Sequence, residues 1–349
     1  MSTLATHRGF APHGASTVAF AAVATILRWP FCVAEGFRLS RRLAAVRFDP
    51  PPVFIIGHWR SGTTALHNLM SRDPSFCFPV ITDALRPFDF YPTPFESISR
   101  AILLRNLPPT RPMDDLPLSP DLPQEDEIAL ATMGAPSFFN CFYFPHAISD
   151  VFAREVLFEG GHPRDVARWR RCLHYYLAKL AWLHPGRRLL LKNPAHSARI
   201  EELRKLFPDA KFVHMHRDPL AVVASTRKLY RNMLPLVALQ RYDQAAVDRH
   251  IVWAYKRLMD RLLHDLANVP KDDVVQLSHR ELASDPMAAV ESVYTRLRLP
   301  GFARARPAMA EFAHAHQHAA AAADAADRQL ADDHRLELEP YRIRLGYSG

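Results

Sequence analysis

The sequence predicts an α/β protein with a P-loop-type parallel sheet flanked by helices. Three segments support this prediction, because each places a short apolar run before a stretch with helical spacing of apolar residues. They are residues 53–71, 187–207 and 211–231. Parallel strands need a crossover connection, which the helical stretches supply. In such sheets ligands bind beyond the carboxyl ends of the strands, so we expect the functional residues there.

The first segment, VFIIGHWRSGTTALHNLM, has the form of a phosphate cradle. Its apolar run 53–56 predicts a buried strand, and helical spacing begins at residue 63. Gly57 and Gly62 let the backbone approach an anion closely, and the N–H groups of a first helical turn point towards it. The segment therefore predicts a pocket for a phosphate-like group.

This loop departs from the loop of nucleotide-hydrolysing proteins. In the motif G-x-x-x-x-G-K-S/T, Thr64 keeps the hydroxyl position, but Thr63 replaces the lysine and the cation is Arg60 instead. Hydrolysis of a nucleoside triphosphate needs that lysine on the β- and γ-phosphates. The loop argues against hydrolysis. A small-molecule kinase and a non-enzymatic protein that binds anions or a membrane surface stay open as alternatives.

The other two segments each end a predicted strand with a cation. Lys192 follows the apolar run Leu189–Leu191, and Arg217 follows the strand at 211–216. Ser225 lies eight residues after Arg217, about two turns into the next helix. Arginine offers a forked donor set for phosphate, and serine adds a hydroxyl.

RSGTT, LLLKNP and RDP with a serine eight residues on occur in that order within residues 50–300. This combination resembles the sulfotransferases that use 3′-phosphoadenosine 5′-phosphosulfate (PAPS), in the bacterial branch related to tyrosylprotein and lipid or menaquinone-type enzymes. The resemblance implies PAPS as co-substrate, adenosine 3′,5′-bisphosphate as product, a sulfotransferase-like fold and no metal. The PAPS-binding residues that it implies are Arg60, Ser61, Gly62, Thr63, Thr64, Arg217 and Ser225.

The same resemblance implies in-line sulfuryl transfer, in which Arg60 and Lys192 neutralise the charge that develops on the bridging oxygen. A general base must take the proton of the acceptor hydroxyl. We expect it among the acids of the predicted helix start PQEDEIAL, although acids there are also explained by the helix dipole. His58 in the loop is a second candidate, because histidine titrates near neutral pH. The candidate bases are Glu125, Asp126, Glu127 and His58.

The acceptor is expected to be a small alcohol or phenol, with a hydrophobic, lipid-like or quinone-like compound as the preferred hypothesis. Residues 72–122 are rich in proline and aromatic side chains, which is typical of an irregular binding wall. A packed, proline-stiffened loop is an equally good interpretation. We assign the acceptor region to residues 72–145. The aromatic cluster at 138–144 favours a core position over a ligand face.

Residues 1–47 predict a helical extension, and 48–349 a single α/β domain. Within 15–47 the spacing is largely helical, and Pro30 is expected to break or kink the helix. The preferred interpretation is a helix that packs on the sheet with its arginines in solvent. The alternative is a basic amphipathic helix in peripheral contact with a membrane.

The charge and cysteine content of the chain limit the kinds of binding partner that we expect. The net charge of +8 suits an anionic ligand, but the basic residues are dispersed, so we predict no nucleic-acid partner. The four cysteines are scattered, which is typical of reduced thiols and favours a cytoplasmic protein. His314 and His318 share a helix face but lack a third ligand, so no metal site is expected. The basic end of the chain, with Tyr341, is expected to fold back over the nucleotide.

Overall fold

The structure, a computed structural model, describes residues 12–88, 100–101, 104–105, 120–315 and 324–347. Within these ranges five parallel strands form one sheet in the order β2-β3-β1-β4-β5. The strands are Val53–Ile56 (β1), Phe76–Cys77 (β2), Arg188–Lys192 (β3), Lys211–His216 (β4) and Val274–Ser278 (β5). The predicted α/β fold with a parallel sheet is confirmed.

Helices cover both faces of the sheet and connect its strands. In chain order they are Pro12–Ala44 (α1), Thr63–Met70 (α2), Ile81–Leu85 (α3), Asp126–Thr132 (α4), Phe139–Tyr143 (α5), Ile148–Glu155 (α6), Pro163–Leu183 (α7), Ile200–Leu206 (α8), Pro219–Val237 (α9), Gln244–Leu266 (α10), His279–Ser284 (α11), Pro286–Arg296 (α12), Phe302–Ala315 (α13), Ala325–Asp333 (α14) and Arg335–Arg344 (α15). A 3₁₀ turn, Pro194–Ala198, follows β3. In the described part of the chain no helix is both long and apolar enough to span a membrane.

The two faces of the sheet pack into separate apolar clusters, because side chains alternate along each strand. Phe54 and Ile56 of β1 contribute to the larger cluster, where Phe54 stacks on Phe212. Val53 and Ile55 contribute to the other. All four are fully buried, so β1 is the central strand that both layers cover. Its carboxyl end opens into the loop from Gly57.

The aromatic cluster at 138–144 lies in the core as predicted. Phe138, Phe142 and Phe144 are buried, and Phe138 stacks on Trp59 at a ring-centre distance of 4.0 Å. The acceptor wall predicted for 72–122 lies for the most part outside the described residues. The boundary at residue 48 remains a prediction.

Helix α1 differs from its prediction in two ways. It continues through Pro30 without interruption, so the predicted break is wrong. It packs by its carboxyl-terminal part on α7, where Leu39 and Leu43 contact Ala178, and not on the sheet. The predicted packing fails for the rest of the helix, because several of its apolar side chains face solvent.

A buried ion pair holds α1 against α7. Glu35 accepts hydrogen bonds from Lys179 and from the hydroxyl of Tyr175. Lys179 also donates to the carbonyl of Pro87. A buried lysine of this kind is stable only with a carboxylate beside it, so Glu35 has a structural role.

Candidate active site

The loop after β1 has the backbone of an anion cradle. Gly57 has φ 139°, and a Cβ there would lie 2.1 Å from the carbonyl oxygen of Met215. Gly62 has φ 94°, and its Cβ would lie 2.8 Å from the His279 ring. Only glycine fits at Gly57, where the neighbouring atom is backbone. Arg60 between them has φ 71°, which is uncommon for a residue with a side chain.

Helix α2 begins directly after this loop, with Thr63 and Thr64 in its first turn. The carbonyl of Gly62 accepts from the N–H groups of Ala65 and Leu66, so the helix starts on the glycine. The first N–H groups of a helix have no partner within it and point along the axis towards an anion. The loop and α2 therefore have the backbone arrangement that binds a phosphate-like group in other proteins; that they bind one here remains a prediction.

A serine that the sequence analysis missed holds the start of the cradle. The N–H of Gly57 donates to Ser197 Oγ at 2.8 Å, and the Ser197 hydroxyl donates to the Gly57 carbonyl at 3.1 Å. Both residues are buried. Ser197 lies in the turn after β3, so this double contact ties the carboxyl ends of β1 and β3 together. No sequence signal distinguished it, since AHSAR contains no known motif.

Lys192 ends β3 beside this loop, in register with Ile55 of β1. Its Nζ lies 2.5 Å from Glu125 Oε1, and the lysine is 3% exposed against 21% for the glutamate. Burial, followed by the charge of Lys192, lowers the pKa of the neighbouring His67 to about 3. The site thus holds a buried ammonium whose carboxylate partner still reaches solvent.

The next two acids have other partners. Asp126 and His196 are fully buried, and His196 Nε2 donates to Asp126 Oδ2 at 2.7 Å. Glu127 Oε1 accepts from the N–H of Phe138 at 2.6 Å, and its Oε2 accepts from Asn193 at 2.7 Å and Arg199 at 3.3 Å. These contacts occupy Glu127 fully.

The three consecutive acids therefore bind four residues of one segment, KNPAHSAR, which starts at the last residue of β3. None of them makes a side-chain cap to α4, whose N-cap is Glu125 with an extended backbone. The acids do lie at a helix start, as predicted: Glu125 is the N-cap of α4, and Asp126 and Glu127 are in its first turn. Their side-chain oxygens, however, bind the KNPAHSAR segment and the Phe138 amide.

His58 is buried among aromatic rings and lies 4.9 Å from Tyr255 between ring centres. Its Nδ1 donates to the carbonyl of Trp59 at 2.9 Å. Burial lowers the pKa of His58 to about 4, and the hydrogen bond offsets only part of that change. The ring is neutral at pH 7 and a weak base.

The predicted phosphate ligands at β4 meet the loop. Arg60 Nε donates to Ser225 Oγ at 2.9 Å, and Arg217 Nη1 donates to the carbonyl of Arg60 at 3.4 Å. The structure thus brings Arg60, Arg217 and Ser225 together, although Arg60 was expected beside Lys192 and the other two at a separate phosphate. Ser61 lies in the same loop, where its N–H donates to the His58 carbonyl.

An open cavity of about 520 Å³ lies next to this group. It is lined by the end of β4, by α11 and by the chain end, with Arg217, His279, Arg280 and Tyr347 among its residues. His279 borders Gly62, so the cavity adjoins the cradle. Arg280 lies over the Tyr347 ring at 5.7 Å. A basic cavity of this size, with an aromatic ring, suits a nucleotide.

The chain end folds back over this cavity, but with a different tyrosine from the one expected. Tyr341 packs on Tyr255 and donates to Asp260, so it serves the core. Tyr347 lines the cavity, and its hydroxyl donates to the carbonyl of His216 at 3.2 Å. The sequence analysis missed Tyr347 and Arg280.

The backbone N–H groups of the loop and α2, with the arginines beside them, fit the anionic groups of PAPS. The first N–H groups of α2 suit one anionic group, and Arg217 and Arg280, with Asp218, line the adjoining cavity. Within the described residues no group of three or more histidine, cysteine or acidic side chains could hold a metal ion; His318 is outside them. Cys77, Cys141 and Cys172 are free thiols.

Solved structures share this fold. The crystal structure of sulfotransferase STF9 from Mycobacterium avium superposes with a TM-score of 0.76 at 22% identity, covering 96% of this chain and 85% of that one. Sulfotransferase STF1 from Mycobacterium tuberculosis superposes with a TM-score of 0.70 at 18% identity, covering 97% and 87%. At these identities the similarity shows the fold.

The sequence identity to two curated relatives is higher than the identity to these solved structures. The chain is 32% identical over 263 residues to the omega-hydroxy-beta-dihydromenaquinone-9 sulfotransferase Stf3 of Mycobacterium bovis and of Mycobacterium tuberculosis. The match covers 75% of this chain and 66% of each relative, so it spans just under two thirds of their length. Residues 51–304 match the model of the sulfotransferase family. The chain therefore belongs to the sulfotransferase family, as its motifs predict.

Proposed function

We propose that this protein transfers the sulfuryl group of PAPS to a hydroxyl of a small hydrophobic acceptor. The observation that carries the proposal is the Lys192–Glu125 contact of 2.5 Å at the strand end beside the glycine cradle. It places a cation for the leaving oxygen and a carboxylate for the acceptor proton side by side. PAPS supplies the activated sulfuryl group; the chain supplies binding, charge and a proton acceptor.

The cations divide between binding and charge stabilisation. The cradle amides, with Ser61, Gly62, Thr63 and Thr64, bind the 5′-phosphosulfate. Lys192 stabilises the negative charge that develops on the bridging oxygen as the S–O bond breaks.

Arg60 also contributes to charge stabilisation at the 5′ end. Its contact with Ser225 supports a starting position near the 3′-phosphate, from which the side chain then reaches the 5′ end. Arg217 and Ser225 bind the 3′-phosphate. Arg280 and Tyr347 complete the nucleotide cavity.

Glu125 is the proposed general base. The acceptor oxygen forms its bond to sulfur, the bond from sulfur to the bridging oxygen breaks, and the acceptor proton passes to Glu125. For this step Lys192 must turn from Glu125 towards the leaving oxygen, which frees a carboxylate oxygen. The 21% exposure of Glu125 supports access by the acceptor.

The other candidate bases are less suitable. Asp126 is fully buried against His196, and Glu127 is committed to Phe138, Asn193 and Arg199. His58 has a pKa of about 4, so at neutral pH it takes a proton poorly. We assign these three residues to positioning and packing.

For the acceptor we propose a lipid-like alcohol. The curated relatives are named for a hydroxylated dihydromenaquinone, which is a hydroxyl on an apolar isoprenoid chain. The free thiols of Cys77, Cys141 and Cys172 are consistent with a cytoplasmic location, which remains a prediction.

The test compares donors and ligands on the full chain. Incubation with PAPS and a long-chain isoprenoid alcohol is expected to yield the sulfate ester and adenosine 3′,5′-bisphosphate, detected by mass spectrometry. In thermal unfolding, the bisphosphate at about 100 times its Kd is expected to stabilise the protein by ~2.7 kcal/mol. Stabilisation by Mg-ATP alone, with no ester formed, would replace the proposal with a kinase.

A further inference from the structure

Helix α1 exposes a continuous row of large apolar side chains that no described part of the chain covers. This row, the apolar stripe, consists of Val23 (56% exposed), Ile26 (70%), Trp29 (66%), Val33 (37%) and Phe37 (82%). Isolated exposed apolar residues are normal on a protein, but a contiguous set of five marks an interaction surface.

The stripe has the geometry of one helix face. At 3.6 residues per turn its five members lie within an arc of about 120°, and from Val23 to Phe37 it extends about 21 Å. Glu35, Leu39 and Leu43, which hold α1 against α7, lie on the opposite side. The contact with α7 therefore fixes the helix and leaves the stripe facing outward.

Positive charge lies at one end of the stripe. Arg38 and Arg41 are exposed and form no ion pair with a described residue. Arg41 lies one turn beyond Phe37, on the same side. The single acidic residue of α1 is Glu35, which is buried against Lys179, so no exposed carboxylate on this helix balances the arginines.

We propose that the apolar stripe inserts into the surface of a bilayer that contains anionic lipids. Amphipathic helices with apolar residues on one face and arginines beside it lie in the plane of the interface in this way. Trp29 has an apolar ring and one polar N–H, which suits the headgroup boundary. Arg38 and Arg41 bind the anionic headgroups, which supply the negative charge that α1 lacks beside these arginines.

A second copy of this chain would complement the stripe less well. Parallel pairing of two α1 helices brings their arginines together, and antiparallel pairing places them against the first part of the partner helix. Residues 12–34 contain no aspartate or glutamate, so neither arrangement neutralises the charge. Anionic lipid supplies both the apolar environment and the negative charge. The proposal is independent of the proposed function, since binding needs neither PAPS nor an acceptor.

The experiment is co-sedimentation of the full chain with vesicles of phosphatidylcholine alone or mixed with phosphatidylglycerol. We expect binding to the mixed vesicles that falls on the order of 100-fold in Ile26→Gln/Phe37→Gln. Arg38→Gln/Arg41→Gln is expected to weaken it on the order of 30-fold. The matched control Leu236→Gln/Leu336→Gln removes two equally exposed apolar side chains elsewhere and is expected to bind like wild type.

Light scattering without vesicles distinguishes the second-copy alternative. A dimer that Ile26→Gln/Phe37→Gln dissociates, together with no vesicle binding, overturns the proposal in favour of self-association. Vesicle binding that this variant leaves unchanged also overturns it, and equal binding to neutral and anionic vesicles overturns the role of the arginines. Circular dichroism of each variant checks that α1 and the fold are retained.

Discussion

The two ends of the candidate site are built in opposite ways. At the sulfuryl end, Lys192 is buried and already paired with Glu125. At the nucleotide end, Arg217 and Arg280 line an open cavity of about 520 Å³ that solvent can enter. The buried end must compensate its charge within the protein, because an unpaired ammonium in the interior is costly. The open end can leave its cations to water until a ligand arrives.

This difference predicts different kinetic roles. A preorganised pair in a buried position acts on charge that develops during the reaction, so its loss should lower kcat. Cations in an open cavity contact groups that do not change during the reaction, so their loss should raise KM with kcat retained. Measuring both constants for each variant tests whether the two ends are separate.

The largest effect is expected from Lys192→Met. The change keeps the length and apolar contacts of the side chain and removes the charge for the leaving oxygen. Loss of one such stabilising group lowers kcat by roughly 10³-fold. The measurement is single-turnover sulfuryl transfer with saturating PAPS. Arg60→Met, compared under the same conditions, shows whether Arg60 serves the reaction or the 3′-phosphate.

Lys179→Met is the matched control for stability, because Lys179 is another buried lysine paired with a glutamate, Glu35. Breaking the buried Lys179–Glu35 pair is expected to cost ~3–5 kcal/mol of the free energy of unfolding, and Lys192→Met is expected to cost less, because Glu125 reaches solvent. Only Lys192→Met should lower kcat per folded molecule. Equal kcat in the two variants would remove Lys192 from the chemistry.

Glu125→Gln is expected to lower kcat by roughly 100-fold, because the amide keeps a hydrogen-bond acceptor for Lys192 but cannot take the acceptor proton. Glu127→Gln, two residues further on, should instead weaken the buried contacts with Asn193 and Arg199 and lower stability with kcat retained. If Glu127→Gln lowers kcat more, the base assignment is wrong.

Arg280→Gln should have a smaller effect, confined to binding. A charge-assisted hydrogen bond contributes ~1.5–3 kcal/mol, so KM for PAPS should rise about 10- to 100-fold with kcat unchanged. Arg298→Gln removes an exposed arginine paired with Asp272 far from this cavity and serves as control. Isothermal titration with adenosine 3′,5′-bisphosphate gives the same comparison without turnover.

The sequence predicted the parallel sheet through β1, β3 and β4, and the cations at its edge, but not the two-residue strand β2 within the stretch expected to be irregular. Short apolar runs before helical spacing identify strands, and the residue that follows each run lies at the carboxyl end of the sheet. That rule placed Lys192 and Arg217 at this edge, and the family resemblance supplied their expected roles. Gly57 and Gly62 were predicted to be functional because only a flexible backbone lets a loop approach an anion closely.

The other features of the candidate site depend on contacts between segments that are distant in sequence, which local patterns do not encode. Gly57 and Ser197 are 140 residues apart, and nothing near either residue indicates the other. The consecutive acids were correctly predicted to lie at a helix start. No local pattern showed that Glu125, Asp126 and Glu127 also bind the segment after β3, more than 60 residues later. In α1, apolar spacing was taken as evidence of packing, but spacing alone cannot tell which side of a helix is covered.

The smallest predicted effect concerns a buried polar group that lacks the compensation found at Lys192. His214 lies in β4, three residues before Arg217, and neither of its ring nitrogens hydrogen-bonds to a described residue. Burial, followed by the charge of His216, lowers its pKa to about 3. In the unfolded chain this histidine binds a proton near pH 6.5, whereas in the folded chain it stays neutral down to about pH 3. The contribution of the neutral ring to the free energy of unfolding is therefore complete above about pH 6.5 and is lost as the pH falls towards 3.

His214→Leu should reduce the pH dependence of the free energy of unfolding by up to ~1.4 kcal/mol per pH unit, measured by urea unfolding between pH 7.5 and 5. Met215→Leu on the same strand carries no titratable group and should shift stability equally at every pH; an unchanged slope in His214→Leu would mean that the ring finds a partner when it is protonated.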